Sequence, residues 1–118
     1  MPWLAGMLAK AVAASRDAEA AERDLFRLSR RIRTNGRSDV DRQLKTSTES
    51  VRRGRDELTA HLDEIARKGI QVRDLRAGIV DFPGEREGRR VWLCWRAGES
   101  AVAFWHELDA GFATRQPL

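Results

Sequence analysis

The chain has 118 residues, 42% apolar and 34% charged, which is the composition of a single soluble globular domain with enough length to bury a core. No apolar run approaches the length needed to span a bilayer, and one cysteine excludes an intramolecular disulfide and fits a reducing cytoplasm. The net charge of +4 gathers in residues 1–36, where seven basic side chains face four acidic ones, while residues 70–118 balance.

Met1 to Val12 is mildly apolar but interrupted by Lys10, which argues against a signal peptide. From residue 2 to 34 a heptad runs unbroken. Leu4, Ala11, Ala18, Leu25 and Ile32 repeat every seven, and Met7, Ala14, Ala21 and Leu28 follow at an offset of three. This predicts one long helix with an apolar seam, Pro2 in its first turn and Asn35-Gly36 at its end. Its basic surface reads as a solvated face, and nucleic-acid binding is the weaker alternative, since no aromatic residue except Phe26 sits among the basic ones for base stacking.

Ser38 or Asp39 is expected to cap a second helix, 38–68, closed by Lys68-Gly69. Its seam is Leu44, Val51, Leu58 and Ile65, with Val40, Ser47, Gly54 and His61 at the offset positions. A short connection makes the two helices antiparallel. That sets Ala11–Ala21 against Val51, Gly54 and Leu58, and small residues on both sides allow close approach. His61 falls at the far end of this seam and reads as a structural or surface histidine.

Beyond Gly69 the pattern changes. Ile70–Leu75 is a short extended segment. Gly78–Phe82 reads as a strand ending at Pro83, Gly84–Gly88 as a loop, and Arg90–Arg96 and Ala101–Glu107 as two strands around Ala97-Gly98-Glu99-Ser100. That turn pairs Arg96 with Ala101, Cys94 with Ala103 and Trp92 with Trp105. The other face then holds Trp95 with Val102, Leu93 with Phe104 and Val91 with His106. Both faces are apolar in this register, so the helices cover one, and the tail (Leu108, Phe112, Leu118) or a second subunit covers the other. Asp109-Ala110-Gly111 turns the tail back, with Gly111 able to supply a positive φ.

The fold class is therefore α+β. A long antiparallel two-helix hairpin (1–69) precedes a small antiparallel sheet of about three strands and a C-terminal tail (70–118), in one domain. Cys94 sits inside an apolar strand and reads as an inert buried thiol. Asp81, His106, Glu107, Asp109 and Arg115 are the polar groups expected to converge near the sheet. If the strand carrying Asp81 pairs with Arg90–Arg96, Asp81 falls in the row of Val91 and His106, though the intervening loop leaves that register open. The expected role of this network is structural, and no catalytic residue, metal ligand or cofactor is assigned. The alternative is a metal or hydrolytic site around His106, Asp81 and Asp109, against which adjacent His106 and Glu107 on a strand point to opposite faces. There is no phosphate-binding loop, nucleophile elbow, Cys-x-x-Cys or His-Glu-x-x-His.

The blocks Val80-Asp81-Phe82-Pro83, Leu93-Cys94-Trp95-Arg96, Gly98-Glu99, Phe104 to Phe112 and Arg115-Gln116-Pro117-Leu118 resemble the bacterial family catalogued as domain of unknown function 2203. The resemblance implies a cytosolic bacterial protein without an established activity. Members of that family begin with an extra segment, and Met1-Pro2-Trp3-Leu4 aligns with its end. Taken together, these features lead us to expect a non-enzymatic interaction or structural module, a homodimer with a possible further protein partner, and no membrane association.

Overall fold

The computed structural model describes residues 2–31 and 37–118, with side chains described at all of these except 37 and 38. The expected helix end at Asn35-Gly36 and the seam position Ile32 lie outside the described residues. No helix among the described residues is long and apolar enough to cross a membrane. The chain divides into two compact units, Met1–Ala9 with His61–Leu118, and Lys10–Ala60.

Two helices, α1 (Pro2–Arg31) and α2 (Arg37–Ala66), precede five strands: β1 (Gln71–Asp74), β2 (Ile79–Arg86), β3 (Arg89–Arg96), β4 (Phe104–His106) and β5 (Gln116–Pro117). Because α2 starts at Arg37, Asp39 lies within its first turn rather than before it, where its charge suits the helix dipole.

In the 10–60 unit the seam follows the heptad. Ala11, Ala14, Ala18, Ala21, Leu28, Val40 and Val51 are buried, whereas Phe26, off the seam, is exposed. Gly54 lies against Ala18 so closely that an added Cβ would stand 3.0 Å from the Ala18 Cα. Further along, Leu28 and Arg31 line a groove with Gln43 and Ser47, so the two helix segments run antiparallel. Arg55 pairs with Glu22 on the surface of this unit.

In the other unit Leu4, Met7 and Leu8 of α1 and Ile65 of α2 pack with Ile70, Val80 and Trp95, flanked by Val72, Leu75, Phe82 and Val102. Each such side chain contributes roughly 1.5–3 kcal/mol when fully buried, which makes this cluster the anchor of the sheet.

The sheet order is β1-β2-β3-β4-β5, antiparallel throughout, so it has five strands rather than about three. β1 and β5 are four and two residues long, too short to show a period of their own. The strand expected to stop at Pro83 runs on to Arg86, and the expected loop shrinks to Glu87-Gly88, both with positive φ (54° and 76°). That is the geometry of a tight hairpin turn, and Gly88 adopts it without strain. Pro83 is tolerated because of the alternation of the ladder. The Ala97 N–H donates to the Gly78 carbonyl (2.9 Å), so even-numbered residues of β2 bond to β3 and the 83 nitrogen points the other way. There it meets the edge left free by β1, which starts opposite Asp81.

The β3–β4 register differs from the expected one by one residue. Cys94 pairs with Phe104, Leu93 with Trp105 and Trp92 with His106. The cause lies in the connection. Arg96 pairs with Ile79 of β2, and β4 does not begin until Phe104. Glu99 accepts the Arg96 N–H on its side chain (2.7 Å), and its carbonyl accepts from Trp95 Nε1 (3.0 Å). The Arg96 amide is thereby withdrawn from the ladder that a short turn needs. A one-residue slip moves every side chain of a strand to the opposite face. One face thus carries Val72, Val80, Phe82, Leu93, Trp95 and Trp105, and the other Asp81, Cys94, Trp92, Phe104 and His106. The second face is not apolar.

The tail folds back as β5, which pairs with β4, and the Leu118 N–H donates to the Ala103 carbonyl (2.9 Å). Gly111 is extended (φ −149°), not left-handed, and the reversal is made by a turn whose Ala110 N–H donates to the Glu107 carbonyl. Phe112 is half-buried, whereas Leu108 and Leu118 are largely exposed.

Candidate functional site

Asp81 sits on the central part of β2, directly opposite Cys94 of β3, and His106 of β4 occupies the neighbouring row. All three are closed off from solvent, with relative exposures of 1%, 0% and 1%. The ligand-type atoms of the three side chains lie within 4.8 Å of one another.

The hydrogen bonds fix where hydrogens must be. His106 Nδ1 lies 2.8 Å from the Glu107 carbonyl oxygen, which only accepts, so Nδ1 carries a hydrogen. His106 Nε2 lies 2.9 Å from Asp81 Oδ1. A bare imidazole nitrogen and a bare carboxylate oxygen repel at that distance, so a hydrogen lies between them, shared by the pair. Arg73 Nε donates to the other oxygen, Asp81 Oδ2 (2.8 Å). A β-bulge between Val72 and Asp74 makes Arg73 the extra residue of β1, and bulges commonly re-aim a side chain in this way. Its guanidinium also stands 5.0 Å from the Trp92 ring centre.

Arg115 comes in from the tail. Its guanidinium grips Glu99 with two bonds (2.8 and 3.0 Å) and lies 3.9 Å from the Phe104 ring centre and 4.2 Å from that of Phe112. Its charge also acts on the Cys94 thiol. Burial pushes that thiol above its ordinary value, the Asp81 charge adds to the effect, and Arg115 opposes it, so Cys94 is a thiol and not a thiolate at neutral pH. The hydrogen bonds from Arg115 hold the Glu99 carboxyl below its ordinary value, and Glu99 in turn raises Arg115.

The sign of the Glu99 shift sets a pH dependence. A carboxyl depressed in the folded state contributes stability that is complete above its unfolded value and is lost as pH falls through the folded one. Acid titration is therefore expected to loosen the tail, seen as faster exchange of the Leu118 amide, and Glu99→Gln should remove that dependence. Arg115→Lys, which keeps the charge but not the two-pronged grip, should cost about 1–2 kcal/mol in denaturant unfolding.

Of the residues singled out from the sequence, Asp81 and His106 bond directly, and Arg115 stands beside Cys94 at the edge of the same cluster. Glu107 contributes its backbone carbonyl, while its side chain turns away to Arg89 (3.0 Å). Asp109 is exposed and stays outside. Arg73, Glu99 and the position of Cys94 were not foreseen as parts of the site. For Cys94 the available signal was its parity with Asp81 once the β2–β3 hairpin is tight; for Arg73 and Glu99, a bulge and an irregular loop leave no such signal.

No curated protein and no solved structure matches this chain. Over residues 1–118 the chain matches the family described as Uncharacterized conserved protein (DUF2203). The match spans the whole length, the helical part as well as the blocks around Asp81, Cys94 and His106, and the chain belongs to that family.

Proposed function

We propose that the protein is a non-enzymatic interaction module that self-associates as a homodimer and acts in the bacterial cytoplasm, with the Asp81–His106–Cys94 centre pinning its sheet. The observation that carries this reading is the closure of the centre. A catalytic group must touch its substrate, yet the groups with acid–base or nucleophilic character here are 0–1% exposed. Two hollows on the described surface leave the three residues out. One is lined by Asp24, Leu28, Arg42 and Ser47, the other by Gly84, Val91, Trp92 and Leu108, and neither includes Asp81, Cys94 or His106. Exposed Phe26 and Leu108 support association rather than chemistry, and the single thiol supports a reducing compartment.

Two measurements test the reading. Cys94 in the native protein is expected to react with a disulfide reagent at least ~100-fold more slowly than in urea, as a buried thiol does. Sedimentation across a wide concentration range is expected to reveal a dimer. A thiol that reacts at the unfolded rate, or a lone 13.4 kDa species at every concentration, would count against it.

A further inference from the structure

We propose that Asp81 Oδ1, Cys94 Sγ and His106 Nε2 bind one divalent transition-metal ion of the Zn²⁺ or Co²⁺ type, as a structural centre. This rests on and deepens the reading of a closed, non-catalytic core: the centre is shut to a substrate, whereas an ion needs only the three donor atoms.

The donor set is the first argument. A thiolate, an imidazole and a carboxylate together match a borderline-soft ion and are poor partners for Ca²⁺ or Mg²⁺. Three different strands, β2, β3 and β4, deliver them to one spot on one face of the sheet. Tetrahedral coordination at about 2.0–2.3 Å places ligand atoms roughly 3.3–3.8 Å apart. The observed spread of up to 4.8 Å closes to that range with side-chain shifts of about 1 Å, which leaves one position for a water molecule.

The surroundings are the second argument. Metal-bound histidines donate their other ring nitrogen to a carbonyl or carboxylate, and His106 Nδ1 does so to Glu107. That bond leaves Nε2 as the nitrogen facing Asp81 and Cys94. Ligating carboxylates are themselves hydrogen-bonded, and Arg73 holds Asp81 Oδ2.

The charges close as well. Without metal, Asp81 and His106 share one proton and are neutral as a pair, and the Cys94 thiol is neutral. With metal, the carboxylate, the thiolate and a neutral imidazole balance the two positive charges of the ion. Arg73, Arg115 and Glu99 are unchanged in either state. One M²⁺ therefore enters as two protons leave, one from Sγ and one from between Nε2 and Oδ1, and the two nearby arginines do not turn the ion away.

Cobalt tests this directly, because Cys94 is the chain's sole cysteine and any thiolate-to-Co²⁺ charge-transfer band reports that residue alone. The full chain is titrated with Co²⁺ when folded and is also refolded from urea in its presence. The expected result is one ion per chain with the thiolate band and visible bands of tetrahedral Co²⁺. Calorimetry in buffers of different ionisation enthalpy should give two protons released per ion, and Zn²⁺ should displace the cobalt and raise the melting temperature above that in chelator. Cys94→Ser should abolish the band, and Asp109→Asn should leave it intact. Should Cys94→Ser fail to fold, the wild-type band and the proton count still decide. A folded chain that shows no thiolate band at millimolar Co²⁺ by either route overturns the proposal. If its thiol is also still protected, the closed-module reading stands without the ion.

Discussion

Asp81→Ala is expected to cost the metal-free fold about 3–5 kcal/mol, the range found when one member of a buried ion pair is removed. The side chain is 1% exposed and serves two donors at once, His106 Nε2 at 2.9 Å and Arg73 Nε at 2.8 Å. Its removal strands the buried imidazole of His106 without its side-chain partner. Arg73 is half-exposed and regains solvent, so most of the cost falls on the histidine. For a chain of this length, about 4 °C of melting temperature goes with each kcal/mol, so a fall of roughly 12–20 °C should appear in a thermal scan in chelator. Asp81→Asn is the control. Its amide donates to Nε2, its oxygen accepts from Arg73, and a neutral His106 keeps its bond to Glu107, so every partner is satisfied and the loss should be about 1 kcal/mol. Equal losses in the two variants would mean that charge, not hydrogen bonding, holds the centre. A loss below about 1 kcal/mol in Asp81→Ala would refute the network as a structural element.

Gly54→Leu is expected to destabilise the helical unit by at least about 2 kcal/mol, through overpacking against a rigid backbone. An added Cβ at this position already stands 3.0 Å from both Cα and Cβ of Ala18, and the opposing atoms are not the movable tip of a long side chain. A leucine must push the two helices apart along a seam built from Ala11, Ala14, Ala18 and Ala21, all buried. The helix propensity gained over glycine, about 1 kcal/mol, offsets only part of this. Gly54→Ala sets the same gain against a single tight methyl, so its net effect should be small. Circular dichroism during urea unfolding separates the two, and a Gly54→Leu variant as stable as the parent would show that the seam opens freely.

The helices were legible in the chain because their signal is local and redundant. Seven-residue spacing names the buried face without reference to any other element, and the buried positions Leu4, Met7, Ala11, Ala14, Ala18, Ala21, Leu28, Val40, Val51 and Ile65 fall on it, while buried Leu8 lies beside it. Gly54 was legible for the same reason, since an interior glycine facing an alanine run implies close approach. The α+β class and the approximate places of β2, β3 and β4 also followed from period and turn chemistry. The five-strand count did not: β1 falls inside the expected extended segment Ile70–Leu75 but was not counted in the sheet, and β5 is too short to carry a pattern and exists only where the edge of β4 receives it.

The register of β4 was beyond reach, and it decides the composition of the site. Pairing Cys94 with Ala103 or with Phe104 differs by one residue, and both choices bury aromatic side chains, so hydrophobicity does not choose between them. The choice is made by Glu99, whose carboxylate takes the Arg96 amide and is itself held by Arg115 from the end of the chain. That contact joins residues 96, 99 and 115, and it turns His106 onto the face of Asp81 and Cys94. Arg73 reaches Asp81 by a comparable device, a bulge set by pairing rather than by propensity. Period and propensity are properties of short stretches of chain and could be read from it. The meeting of an aspartate, a cysteine and a histidine depends on strand register, which only contacts between distant residues determine.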